Sequence, residues 1–228
     1  MSEDMVVKHC APTLAGLKTG NIFSTSYNSL KQLKREVDDL NETLEKKGLK
    51  ILVLRQSGGR ALLYMYRPSQ LQNDLTKEEA QRILSGFGYE KTDHRFCIRR
   101  LMQRLCDSDE FPHEIGLFLG YPPEDVQGFI ECNGRDCKYC GYWKVYGDVD
   151  TAEKTFAKYS KCTCAYLNCL KNGTALSKLA VKKNEWMRTW EERCKAAGAN
   201  LACDFVICNL EPDGDGITAC EALGAALA

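Results

Sequence analysis

Two short apolar runs around a glycine turn place the strongest limit on what this chain can fold into. Residues 49–54 and 61–66 flank Ser57-Gly58-Gly59. Runs of this length on either side of such a turn predict a β-hairpin, with Pro68 closing its second strand. Just upstream, Leu30, Leu33, Val37, Leu40 and Leu44 recur at spacings of three and four between charged residues. That period predicts an amphipathic helix within 26–47, stopped by Gly48. Helix and hairpin together point to an α/β fold, a small mixed or antiparallel sheet with several helices.

Further helices follow along the chain. Thr76 and Glu79 have the spacing of a capping box, which predicts a helix from there to Gly86 or Gly88. A second helix is expected over 92–106, where Phe96, Arg99, Arg100 and Arg104 give it a basic side. That side reads either as a solvated surface or as an anion or partner site. Pro122-Pro123-Glu124-Asp125 resembles a helix start, with acids at the positive end of the dipole. Residues 141–147, rich in aromatics, read as a strand carrying Tyr142, Trp143 and Tyr146. Asp150 is expected to cap a helix to about Leu170, ended by Asn172-Gly173. Beyond it come a short apolar piece at 179–181, a helix at 184–197 with Trp186, Met187 and Trp190 inward, a strand at 199–208 and a helix at 212–228. Two domains are expected, 1–172 and 173–228.

Composition narrows the function classes. Lysine plus arginine and aspartate plus glutamate both number 31, so the formal charge is zero. A neutral chain has no global field to steer a polyanion, which counts against nucleic acid as a partner. Residues 1–7 show no basic segment leading into an apolar one, and no apolar run approaches membrane-spanning length. A cytoplasmic protein without a membrane partner is the expectation. Thirteen cysteines then read as reduced thiols, ligands or redox groups rather than a disulfide framework.

Three groups of residues could carry chemistry. Cys132, Cys137 and Cys140 stand at C-x4-C-x2-C spacing, followed by Cys162, Cys164 and Cys169. Such a turn aims two thiolates at one ion, so Cys132, Cys137, Cys140 and Cys162 are candidate ligands for zinc or an iron–sulfur cluster. Against this, Cys162-Thr163-Cys164 is one residue too tight for a second pair, and small half-buried thiols explain the same pattern. His9-Cys10 places an imidazole beside a thiol, which suits an activated nucleophile if the two meet in space. Otherwise Cys10 packs under a proline-containing turn. His113-Glu114 suits general acid–base work or helix capping. The aromatic residues 142, 143 and 146 read as core or as a stacking platform.

Four stretches carry a resemblance to a known family. His9-Cys10-Ala11-Pro12-Thr13-Leu14-Ala15-Gly16-Leu17-Lys18 and Arg60-Ala61-Leu62-Leu63-Tyr64-Met65-Tyr66-Arg67-Pro68 are two of them. Phe111-Pro112-His113-Glu114-Ile115-Gly116 and Gly141-Tyr142-Trp143-Lys144-Val145-Tyr146 are the others. Over about residues 5–165 the chain resembles the bacterial domain of unknown function 3793 family, a likeness that implies no activity. Glu185-Trp186-Met187-Arg188, Trp190-Glu191-Glu192-Arg193, Gly198-Ala199 and Glu211-Pro212-Asp213 resemble the last helix, strand and helix of a short-chain flavodoxin. A flavodoxin holds the FMN phosphate on a Ser/Thr- and Gly-rich loop after its first strand. Here Leu179-Ala180-Val181 is followed at once by Lys182-Lys183-Asn184. The tail over about 178–228, with 179–181 in the place of its first strand, therefore reads as an incomplete, truncated flavodoxin-like β-α-β-α segment, and FMN is not expected.

These readings lead to two functional expectations. The first is a non-enzymatic accessory or regulatory module linked to redox or metal physiology, with an unidentified protein partner, such as a redox protein. The alternative is a cysteine-dependent enzyme or thiol redox protein using Cys10 with His9 or His113, and Glu114 beside it.

Overall fold

The computed structural model describes residues 2–107 and 111–182. The expectations for 184–228, including the flavodoxin-like helix, strand and helix, lie outside the described residues.

The hairpin forms as its sequence requires. Strands β2 (Lys50–Ser57) and β3 (Arg60–Tyr66) pair antiparallel, and Gly58 and Gly59 both take positive φ in the turn. Two successive left-handed residues give the turn whose twist matches that of its strands. The third strand, β1 (Gly20–Ser26), pairs antiparallel with β3, so the sheet order is β1-β3-β2. Strand β3 is central and loses both faces to helices. Ala61, Leu63 and Met65 enter one core and Tyr64 and Tyr66 the other. This is the continuous apolar pattern of a doubly covered strand.

One face of the sheet is covered by α1 (Glu3–Leu14), α2 (Leu30–Leu44) and the short α9 (Leu176–Leu179). Part of the long α8 (Val149–Lys171) packs there too, against α1. The other face carries α3 (Pro68–Leu75), α4 (Glu78–Ser85), α5 (His94–Asp107), α6 (Ile115–Phe118) and α7 (Pro123–Glu131). The result is a mixed α/β body with a small antiparallel sheet. A two-stranded ribbon, β4 (Tyr139–Cys140) with β5 (Lys144–Val145), packs through Trp143 and Val145 on the start of α8.

Local readings differ from the structure where side chains find distant partners. Pro68 opens α3 instead of merely ending a strand, because proline's missing N–H costs nothing in a first turn. The capping box does not form: Thr76 donates back to the Asn73 carbonyl, and Lys77 occupies the N-cap of α4. Asp148, not Asp150, caps α8, accepting from the Thr151 N–H and hydroxyl. The aromatic strand over 141–147 shrinks to Lys144–Val145. Residues 173–181 belong to the same compact body as the rest, with Leu176, Leu179 and Ala180 buried. Leu179 ends α9, and Val181 donates its N–H to the Leu14 carbonyl, so 179–181 is not the first strand of a tail domain.

Arg67 ties this body together. It is buried, and its guanidinium donates to the carbonyls of Thr13 and Leu14 at 2.8 Å, Val181 at 2.6 Å and Lys47 at 3.4 Å. Two of these carbonyls belong to the last turn of α1, where a cation also suits the helix dipole. Desolvation pulls the Arg67 pKa down to about 10, which leaves it charged at neutral pH. Arg67→Met should lower stability by about 2–4 kcal/mol, since several buried carbonyls lose their donor. Urea unfolding checks this, and Arg67→Lys should recover less than half, because an ammonium cannot reproduce the fork.

Candidate functional site

Two of the motif stretches singled out in the sequence meet around one cleft. Its walls come from α6 and the residues before it, from α7, and from the β4–β5 ribbon, and it encloses about 430 Å³. Phe111, His113, Ile115 and Gly116 contribute from the first stretch, and Gly141, Trp143 and Lys144 from the second. Val126, Phe129 and Leu119 complete a mainly apolar lining.

Asp125 holds the cleft's two sides together. One carboxylate oxygen accepts the backbone N–H groups of Tyr146 and Gly147, each at 2.7 Å. The other accepts the Trp143 indole N–H at 2.6 Å. Three donors on one buried carboxylate make a strong, directional pin between α7 and the ribbon. Sequence reasoning gave Asp125 to the helix dipole. The better signal was its position on the wheel, one face with Val126 and Phe129.

The aromatic residues stack in series behind this pin. Trp143 lies on Tyr121 at 4.8 Å and meets Phe156 edge-on at 4.5 Å. A Cβ at Gly141 would strike the Phe156 ring, so only glycine lets the ribbon approach α8 this closely. Lys18 sits over the Tyr121 ring, 4.9 Å from its centroid. Lys18 is 3% exposed, and burial pulls its pKa down to about 8, with the neighbouring Cys10 acting in the opposite sense. Neither Lys18 nor Tyr121 was singled out from sequence as a site residue.

His113 and Glu114 part company. The His113 ring faces the cleft, 4.8 Å from Phe129. Glu114 is fully buried, where it accepts from Arg104 Nε at 2.5 Å and from the Tyr89 hydroxyl at 3.0 Å. Burial, and then the Glu114 carboxylate, push the Tyr89 phenol well above its ordinary range. The two side chains therefore face different surroundings, and Arg104, half-buried, turns its guanidinium inward to Glu114 and over the Phe87 ring. His9 and Cys10 diverge likewise. His9 is exposed and stacks on Phe23, whereas Cys10, on the inner face of α1, is buried in the core. Burial raises the Cys10 thiol far above its ordinary pKa, which opposes thiolate formation.

The cysteines are dispersed among several surroundings. Cys132 caps α7, Cys137 precedes β4, and Cys140 ends β4 at the cleft's edge. Cys162 lies on α8, packed toward the α1 core, and burial pushes its thiol up to about 11. Cys132 and Cys137 both act electrostatically on the Tyr146 phenol. Among the described residues, no three His, Cys, Asp or Glu side chains form a group that could hold a metal ion. The structure does not gather Cys132, Cys137, Cys140 and Cys162 into one.

The family model described as Protein of unknown function (DUF3793) matches residues 6–180. The chain belongs to the DUF3793 family. The match extends beyond the C-terminal end expected from the sequence and stops one residue short of the end of the compact body at Val181. No curated protein and no solved structure matches the chain. Among the described residues, no helix is long and apolar enough to cross a membrane. For this DUF3793 chain the structure therefore supplies geometry that the family description does not.

Two measurements check that geometry. Because the folded pKa of Lys18 lies below its unfolded value, the unfolded state holds the extra proton between them. Its contribution to stability should therefore rise from about pH 8 to about 10.5 and be flat below. Urea unfolding at about pH 7 and about pH 9 should show roughly 1 kcal/mol of gain that Lys18→Met lacks. Peptide mapping after brief alkylation of the native protein should find Cys140 and Cys164 modified and Cys10 intact. Preferential labelling of Cys10 would contradict its burial.

Proposed function

We propose that this protein is a non-enzymatic accessory module that holds a small, mostly apolar or aromatic molecule in the cleft. The observation that carries the reading is the cleft's construction. A mainly apolar enclosure of about 430 Å³ with a few convergent polar groups is the usual form of a small-molecule site. Its polar groups are already engaged in structural contacts: Asp125 with the ribbon, and Lys144 with the Gly134 carbonyl at 2.5 Å. Such a site is organised before a ligand arrives, which favours binding.

Support for turnover is weaker. Cys10 is enclosed in a core, and His113 and Glu114 face different surroundings. The link to redox or metal physiology, and to a protein partner such as a redox protein, rests on the cysteine spacing and on the tail's likeness to the end of a flavodoxin. Zinc or an iron–sulfur cluster on Cys132, Cys137, Cys140 and Cys162 would require the α7–β4 segment and α8 to approach.

The cleft reading is tested by amide and indole NMR spectra recorded during titration with one- and two-ring aromatic fragments. Saturable shifts are expected at Gly116, Gly141, Lys144 and the Trp143 indole N–H. Val126→Phe, which fills the cleft, should abolish them while leaving the spectrum of α1 and the sheet unchanged. Shifts that persist in this variant, or that centre elsewhere, would remove the cleft as the site.

A further inference from the structure

A second groove shares no lining residue with the cleft. It runs between α5, β2 and the turn at Gly48, and it encloses about 740 Å³. Leu52, Ile98 and Met102 give it an apolar floor, while Lys50, Arg95 and Arg99 line it with charge.

Three observations set this groove apart from an ordinary solvated surface. Arg95 and Arg99 stand one turn apart on α5, both exposed, and among the described residues neither has a carboxylate within ion-pair distance. Like charges at this spacing destabilise a helix, and a cation in its first turn opposes the dipole. The nearest acid in sequence, Asp93, is occupied by the backbone N–H groups of Arg95 and Phe96 at 3.0 Å each.

The second observation is charge. Among the described residues Glu45 is the one acid lining the groove, and it pairs with Lys50 at 3.3 Å. Three cations less one carboxylate leave two positive charges. Burial, with Arg95 and Lys50 acting in the same sense against Asp93, lowers the His94 pKa and keeps that ring from adding a third near neutral pH.

The third observation is a donor without a partner. Tyr66 lines the groove and is 3% exposed, with its ring fixed against Tyr64 at 4.8 Å. Its hydroxyl makes no hydrogen bond among the described residues. Opening into the groove without a partner among them, this hydroxyl can donate to an entering acceptor without first breaking a bond within the described chain.

The geometry points to a binding site for a small phosphate monoester carried on an apolar body. The phosphate would lie among Lys50, Arg95, Arg99 and the Tyr66 hydroxyl, and the apolar part on Ile98 and Met102. A phosphate monoester carries close to two negative charges near neutral pH and offers three acceptor oxygens, whereas a carboxylate carries one charge. This site is independent of the aromatic cleft and stands or falls separately from it.

The test is calorimetric titration of the full chain with phenyl phosphate, inorganic phosphate and benzoate at constant ionic strength near neutral pH. Phenyl phosphate should bind more tightly than either of the others. The double variant Arg95→Ala/Arg99→Ala should weaken it by about tenfold or more, and Tyr66→Phe by about threefold. Without ligand, the double variant should melt no lower than the parent, since a like-charge pair has gone. The proposal is overturned if phenyl phosphate does not bind, if inorganic phosphate or benzoate binds equally well, or if the double variant keeps full affinity. A double variant that melts lower would overturn it too, by showing the arginines to be structural.

Discussion

A single buried cation joins the parts of this body that the chain visits far apart in sequence. Arg67 leaves the end of the central strand and reaches the last carbonyls of α1, the turn after α2 and the segment after α9. Among the described residues no acid is paired with it. Its charge is balanced by carbonyl dipoles, and that balance exists only when those three segments are in place together. The backbone reinforces the same junction, with Arg67 donating its N–H to the Thr19 carbonyl. Segments that share one buried donor cannot shift independently without leaving polar groups unsatisfied.

The cleft depends on a second junction of the same kind but opposite sign. Asp125 is a buried acid satisfied by two backbone amides and an indole. From Trp143 the contacts continue through Tyr121 to Lys18, whose loop follows α1. The four stretches that carry the family resemblance thus fall into two meeting pairs. Residues 9–18 meet 60–68 at Arg67, and 111–116 meet 141–146 around the cleft. Lys18, resting on Tyr121, belongs to the first pair and touches the wall of the second.

Much of the secondary structure could be read from local pattern. The 57–59 turn, the leucine period of α2, and the proline start of α7 are each settled within a few residues, so the hairpin and these helices appeared where expected. Helix α1 was hidden by Pro12 within it, and β1 by its serines, threonine and asparagine, which suit an edge strand but carry little apolar signal. The candidate site was legible in part. His113, Trp143 and Cys140 lie in stretches singled out from the sequence, yet the pairs His9-Cys10 and His113-Glu114 separated on folding. Neighbours along a helix or turn point in different directions, so adjacency in sequence was a poor guide to proximity.

The sequence alone determined which segments are helix and which are strand in most of the described body, because periodicity and turn chemistry act over a few residues. It also determined that the sheet would be small and covered by several helices. Only the tertiary structure decided the fate of the isolated polar residues: Arg67 as a fork, Asp125 as a pin, Lys18 over an aromatic ring, and Cys10 inside a core. The reason is distance along the chain. Arg67 binds carbonyls 53 and 54 positions away, and the Tyr159 hydroxyl reaches one 142 positions away. Whether a charge or a thiol is desolvated depends on such partners, and no local window contains them.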